Sequence, residues 1–102
     1  MVLLKTEDLA YAYLKDGYCY LRTHAAENFV TTYALDDLFD LLDEEQFFRA
    51  NRQMIINRRA CSAYNSIEFG KIELELEPAY KEPVVVSQKR ARAFREWISV
   101  TT

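Results

Sequence analysis

The stretch "FFRANRQMIIN", Phe47 to Asn57, sets two aromatics and the run Met54, Ile55, Ile56 around four polar side chains, Arg49, Asn51, Arg52 and Gln53. The apolar residues are material for a buried element, whereas the polar four are costly to bury without partners. No acid lies within the stretch to neutralise its arginines. Either carboxylates from elsewhere in the fold pair with them, or a rigid apolar mount holds them out to meet something anionic. Phe47 to Ala50 reads as a short strand. Gln53 to Asn57 fits a short helix or a strand equally, because periodicity does not type so short an apolar run.

Towards the N-terminus, Val2 to Tyr13 is rich in β-formers. Leu9, Tyr11 and Tyr13 at alternate positions predict a strand after a turn at Thr6, Glu7 and Asp8. Asp16-Gly17 is a strong hairpin signal. It returns the chain through a strand with Tyr18, Tyr20 and Arg22 on one face and Cys19, Leu21 and Thr23 on the other. Asn28 to Tyr33, "NFVTTY", predicts a third strand. Leu35, Leu38, Phe39 and Leu42 then recur at helical spacing with acids opposite, so a helix with a solvated acidic face is expected, and Asp36 and Asp37 suit its N-terminal dipole.

Beyond the opening stretch, Cys61 to Asn65 and Lys71 to Glu77 predict a hairpin about Gly70. Ile72, Leu74 and Leu76 face inward in it, and Lys71, Glu73, Glu75 and Glu77 outward. Val84 to Val86, following Pro83, predicts an edge strand. Ser87 is the expected N-cap of a closing helix whose apolar stripe is Ala91, Phe94, Trp97 and Ile98, with Trp97 as a core anchor. Gln88, Lys89, Arg92 and Arg95 lie off that stripe, and the free N–H groups of the first turn favour a phosphate. The fold expected is mainly β, with antiparallel strands in small packed sheets, one mid-chain helix and one C-terminal helix.

The 102 residues fit a single domain, residues 1–102, with one core. Half of them are apolar and 14% aromatic, with two glycines and two prolines, which excludes a disordered, collagen-like or linker chain. No apolar run approaches the ~20 residues of a membrane helix, and "MVLLKTEDLA" turns acidic too soon for a secretory signal. Cys19 and Cys61, with no metal-like spacing, read as reduced thiols of a cytoplasmic protein. Enzyme classes fare badly. His24 is the only histidine, two glycines make no phosphate loop, and Ser62, Ser66 and Ser87 lack a nucleophile-elbow context. No catalytic residue, metal or cofactor is expected.

A net charge of −3 and a pI near 5.1 normally argue against nucleic-acid binding. The charges are segregated, however. Seven acids and no base occupy Glu27 to Glu45, whereas Arg49 to Arg59 holds four arginines and no acid. Pro83 to Arg95 again holds four bases, Lys89, Arg90, Arg92 and Arg95, and no acid. A polyanion responds to the local field, so two basic blocks can meet phosphate while acidic faces point elsewhere. The blocks are expected to form one continuous positive face, with the acidic helix, Asp36 to Asp43, on another side.

The opening stretch resembles the signature of LytTR-type DNA-binding domains, the output domains of many bacterial two-component response regulators. The likeness extends to "EDLAYAYLKDGYCYL" (Glu7 to Leu21), "YALDDLFDLLDEEQFFRANRQMIIN" (Tyr33 to Asn57) and "VVVSQKRARAFREWI" (Val84 to Ile98), nearly the whole chain in order. The "NRQ" variant and the final "FREWI" look most like the forms in Bacteroidetes regulators. The resemblance implies a compact, mostly β domain that binds direct-repeat promoter sites in double-stranded DNA. Loops, rather than a recognition helix, enter successive major grooves and bend the duplex. Carried over by position, base contacts fall on Cys19, Tyr20, Asn51, Arg52, Gln88 and Lys89. Phosphate contacts fall on Arg22, Arg49, Arg58, Arg59, Arg90 and Arg92, with Lys89 contributing. Arg49 has a second reading, as a strand residue paired with an acid of the preceding helix.

Departures from the pattern leave base preference open. Asn51 stands where the family usually has histidine, Gln88 where arginine is frequent, and Cys19 where a polar residue is more useful. Asn and Gln suit adenine, and Arg and Lys suit guanine. Regulators of this kind carry a receiver domain upstream, and the first family strand looks clipped. The chain is therefore expected to be the C-terminal part of a longer regulator, and direct repeats leave room for a dimer on DNA. The rival reading is a protein-interaction module that binds a partner through its acidic helix or its glutamate-lined hairpin.

Overall fold

The computed structural model describes residues 4–99. In chain order its elements are β1 (Leu9–Lys15), β2 (Tyr18–Thr23), β3 (Asn28–Thr31), α1 (Leu35–Leu41), β4 (Phe47–Asn51), β5 (Met54–Asn57), β6 (Cys61–Ser66), β7 (Ile72–Leu76), β8 (Val84–Val86) and α2 (Gln88–Ser99). The first five strands make one antiparallel sheet in the order β3-β2-β1-β5-β4, and the last three a second in the order β6-β7-β8. The mainly β expectation with two helices holds.

The ambiguous segment is a strand. Every residue of β5 is buried, since apolar layers cover both faces of its sheet, and a strand buried on both faces loses the alternation that would identify it. On one face Leu9, Ala12, Cys19, Phe47 and Ile55 pack on Leu35, Leu38 and Leu42 of the α1 region. On the other, Ala10, Tyr11, Phe48, Ala50, Met54 and Ile56 meet the second sheet and Ala91 and Phe94 of α2. Register shifts between Leu9 and Tyr11 and between Arg49 and Asn51 mark bulges at Ala10 and Ala50. The second bulge turns Asn51 towards the second sheet.

Several local expectations hold. Asp16 (φ 51°) and Gly17 (φ 82°) both take the positive φ that a primed hairpin turn requires. Ile72, Leu74 and Leu76 are buried, β8 is an edge strand, and α2 begins directly after Ser87. The third strand stops at Thr31, short of Tyr33. Residues Val2 and Leu3 of the first predicted strand lie outside the described residues. Among the described residues no helix is long and apolar enough to cross a membrane.

Two polar details shape the core. Asn57 is 1% exposed, yet its Nδ2 donates to the Leu9 carbonyl at 2.9 Å and its Oδ1 accepts from Gln46 Nε2 at 2.7 Å and Arg59 N at 2.9 Å. Trp97, expected as a core anchor, is only partly buried. Its ring covers Phe48 and Phe94 from outside, and its Nε1 donates to the Glu45 carbonyl at 3.1 Å. Phe94, at 0% exposure, is the enclosed residue of that stripe.

Phe94→Ala should therefore cost about 3–5 kcal/mol and lower the melting temperature more than Trp97→Ala does. The reverse order would make Trp97 the anchor. A pH series checks His24, whose Nε2 lies 3.4 Å from Asn57 Nδ2. Burial first, then the Arg59 cation, holds its pKa below the usual histidine value. As pH falls through about 6.5, the unfolded chain takes up the proton before the folded one, so stability declines. His24→Gln should show a smaller decline between about pH 7 and pH 5, and an identical decline would remove His24 from the account.

Candidate nucleic-acid interface

Antiparallel pairing gathers several turns at one end of the molecule. Tyr13 of β1 faces Met54 of β5, so the Asp16-Gly17 turn lies beside the Arg52-Gln53 turn, and Leu14 N donates to the Gln53 carbonyl at 2.9 Å. From the second sheet, β8 reaches the same end, where Asn51 Nδ2 donates to the Val85 carbonyl at 3.0 Å. The start of α2 follows β8 directly. An open groove between this helix start and the Arg52-Gln53 turn is lined by Arg49, Asn51, Arg52, Ser87, Lys89 and Arg90, with Asp36 at its edge.

The turn itself is held from within. Asn51 Oδ1 accepts from Gln53 N at 2.8 Å, a side chain standing in for a backbone turn acceptor. Arg49 clamps the same turn: its Nε donates to the Asn51 carbonyl at 2.8 Å and its Nη2 to the Arg52 carbonyl at 2.7 Å, while its Nη1 pairs with the Asp36 carboxylate. Arg90 of α2 donates from Nε to the Arg49 carbonyl at 3.0 Å, and its guanidinium lies 4.8 Å from the Phe48 ring centroid. Phe48 and Ile56, buried beneath, make the mount rigid. The question raised by the opening stretch has a divided answer. Arg49 is neutralised by a tertiary carboxylate, whereas Arg52 is exposed and, among the described residues, its guanidinium has no partner.

The remaining sequence-predicted positions sort themselves by environment. Lys89 and Gln88 are exposed at the start of α2, and the Gln88 side chain packs against Gly70. Asn51, expected to read a base, has both ends of its amide engaged by Gln53 and Val85. Cys19 is a correction: it is 4% exposed and packed in the α1 core, where burial raises its thiol pKa. Tyr20 is half-buried, stacked on Tyr13 at a centroid distance of 5.3 Å, and Arg22 lies against the Tyr11 hydroxyl.

The expectation of one continuous positive face also needs correction, because the two basic blocks meet at one end only. Arg58 donates to the Glu45 carbonyl at 2.6 Å and lies 4.8 Å over the Trp97 ring, about 12 Å along α2 from Lys89 at 1.5 Å per residue. Arg59 is exposed next to it. Arg92 pairs with Glu96 at 3.2 Å, and Arg95 donates to Ser66 Oγ at 2.8 Å. The acidic helix does not lie wholly elsewhere either, since Asp36 in its first turn borders the groove.

Lys15 and Tyr18 flank the Asp16-Gly17 turn at the same end, beyond the Cys19 and Tyr20 positions given by carry-over. Lys15 also touches Lys81, and that contact holds the Lys81 pKa below the usual lysine value. The hairpin signal at Asp16-Gly17 contained this information, because residues beside a two-residue turn project from the end of a sheet. Among the described residues no group of three or more His, Cys, Asp or Glu could hold a metal ion.

A family model described as the LytTr DNA-binding domain matches residues 1–99. The fold is similar to that of the LytTr DNA-binding domain of a protein from Bacillus cereus described as a methyl-accepting/DNA response regulator. The TM-score is 0.82 at 23% identity, covering 97% of this chain and 88% of that one. No curated protein sequence matches the chain.

If the Asn51 amide holds the turn, Asn51→Ala should destabilise the protein by about 1–3 kcal/mol, since it strands the Gln53 N–H and the Val85 carbonyl. Urea denaturation measures this, and an unchanged midpoint would show that the turn is held without that side chain.

Proposed function

We propose that this chain, which belongs to the LytTr DNA-binding domain family, reads double-stranded DNA as the output domain of a transcriptional response regulator. The observation that carries this reading is the gathering of two turns, Asp16-Gly17 and Arg52-Gln53, and a helix start at one end. There Arg52 and Lys89 project, without partners among the described residues, from backbone that Asn51, Arg49 and Arg90 hold in place. Loops presented this way fit successive major grooves of a direct-repeat promoter site. Arg52 and Lys89 suit guanine O6 and N7, and Gln88 suits adenine. Asn51 and Arg49 serve as positioning residues, and at the first turn Lys15 and Tyr18 take the place assigned to Cys19, with Tyr20 behind them.

Arg22, Arg90 and Arg92 serve backbone phosphates, which supply affinity without sequence information, whereas Arg58 and Arg59, at the Glu45 and Trp97 end, stay outside the proposed interface. The neighbouring Bacillus cereus domain is described as part of a DNA response regulator; for this chain an upstream receiver domain, action in the cytoplasm and a second copy beside the first on repeated sites belong to the same proposal. The family is a DNA-binding one, and no catalytic role is proposed.

Selection from a random duplex pool should yield a preferred sequence. On it, Arg52→Ala should lose roughly 1–3 kcal/mol and relax preference at one position. Arg49→Lys keeps the charge but cannot bridge two carbonyls and a carboxylate, so it should weaken preference while leaving the salt dependence of binding unchanged. Equal losses on preferred and random DNA for Arg52→Ala would reassign that residue to phosphate.

A further inference from the structure

We infer that Phe69 is an additional DNA contact, an apolar one that packs on thymine methyl groups at the border of the site; this deepens the DNA-binding reading and rests on it. Phe69 sits in the short turn at Glu68–Gly70 between β6 and β7. Register places that turn at the gathered end, because Ser66 faces Ile72 and Ile72 faces Val86, the last residue of β8. The turn and the first turn of α2 are in close contact: a Cβ on Gly70 would come within 3.0 Å of Gln88 Cγ. The turn that carries Phe69 therefore lies beside Gln88, on the β6-β7 side of β8.

Two independent observations single the residue out. Its side chain is 78% exposed, and among the described residues no ring packs against it. Its backbone is left-handed, with φ 61° and ψ 31°, a conformation that Asn or Gly adopts readily and that is an outlier for a bulky side chain. Solvation and backbone preference thus both disfavour phenylalanine here in the free protein, and a bound partner that covers the ring removes one of the two costs. Charge favours DNA over a protein as that partner. Lys71 and Lys89 are exposed on the neighbouring segments, and the Glu68 carboxylate in the same turn is offset by Lys71. The apolar mark that a duplex shows in its major groove is the thymine methyl, which aromatic and aliphatic side chains meet by contact.

The test uses the protein with the duplex selected from a random pool and compares Phe69→Asn with the wild type. Asn tolerates the left-handed backbone, so the variant should keep or raise the melting temperature while binding the preferred duplex roughly tenfold more weakly. The salt slope should not change, since no cation is lost. Replacing thymines one at a time by deoxyuridine removes single methyl groups. At one or two positions this should weaken the wild type and leave Phe69→Asn unaffected. Unchanged affinity of Phe69→Asn overturns the inference, as do deoxyuridine losses identical in both proteins at every position. Failure of the wild type to bind any duplex would instead sink the DNA-binding reading, and this inference with it.

Discussion

The side-chain amide of Asn51 joins the two sheets at the place where the candidate interface begins. One end of it shapes the turn that presents Arg52, and the other holds β8 through the Val85 carbonyl. Together with the Arg90 donation to the Arg49 carbonyl, that tie sets the hairpin of the first sheet against the start of α2, so that Arg52 and Lys89 share a rim. The bulge at Ala50 is what aims Asn51 at the second sheet, since an unbroken alternation would send it to the α1 face with Arg49. Arg49 adds a brace from that opposite face, so the turn is held on both sides. Asn57 plays the matching part at the far end of β5, tying it to Leu9 and Gln46.

The fold was largely legible because strict alternation, turn chemistry and helical spacing act locally. "KIELELE", Asp16-Gly17 and the leucines of α1 each carried a physical signal strong enough to survive tertiary packing. Where signals weakened, the reason is visible. Met54, Ile55 and Ile56 lie between two apolar layers, so the periodicity that types a strand was absent. Trp97 shares a stripe with Phe94, and spacing alone does not tell which of the two is enclosed and which lies over the edge.

The site was legible by position but not by role. The sequence shows Arg49 and Arg52 as two cations three residues apart and leaves open whether Arg49 meets phosphate or an acid of the preceding helix. The fold gives Asp36 to one of them and leaves the other open, a partnership between residues thirteen positions apart that no local pattern encodes. Asn51 carries the chemistry to grip adenine, and the structure engages that chemistry internally. Cys19 alternates on the inward face of β2, a fact that strand pairing could have flagged before any positional carry-over. Phe69 drew no notice in the sequence because a lone exposed aromatic is ordinary; its backbone conformation is what distinguishes it.

The central claim is that DNA binds across the end where the turns gather. Backbone amide chemical-shift mapping with a preferred duplex tests it most directly. The account predicts the largest shifts at residues 15–18, 51–53, 68–71 and 87–90, with little change at the Glu45, Arg58 and Trp97 end. Shifts concentrated at that opposite end, or along the acidic face of α1, would contradict it.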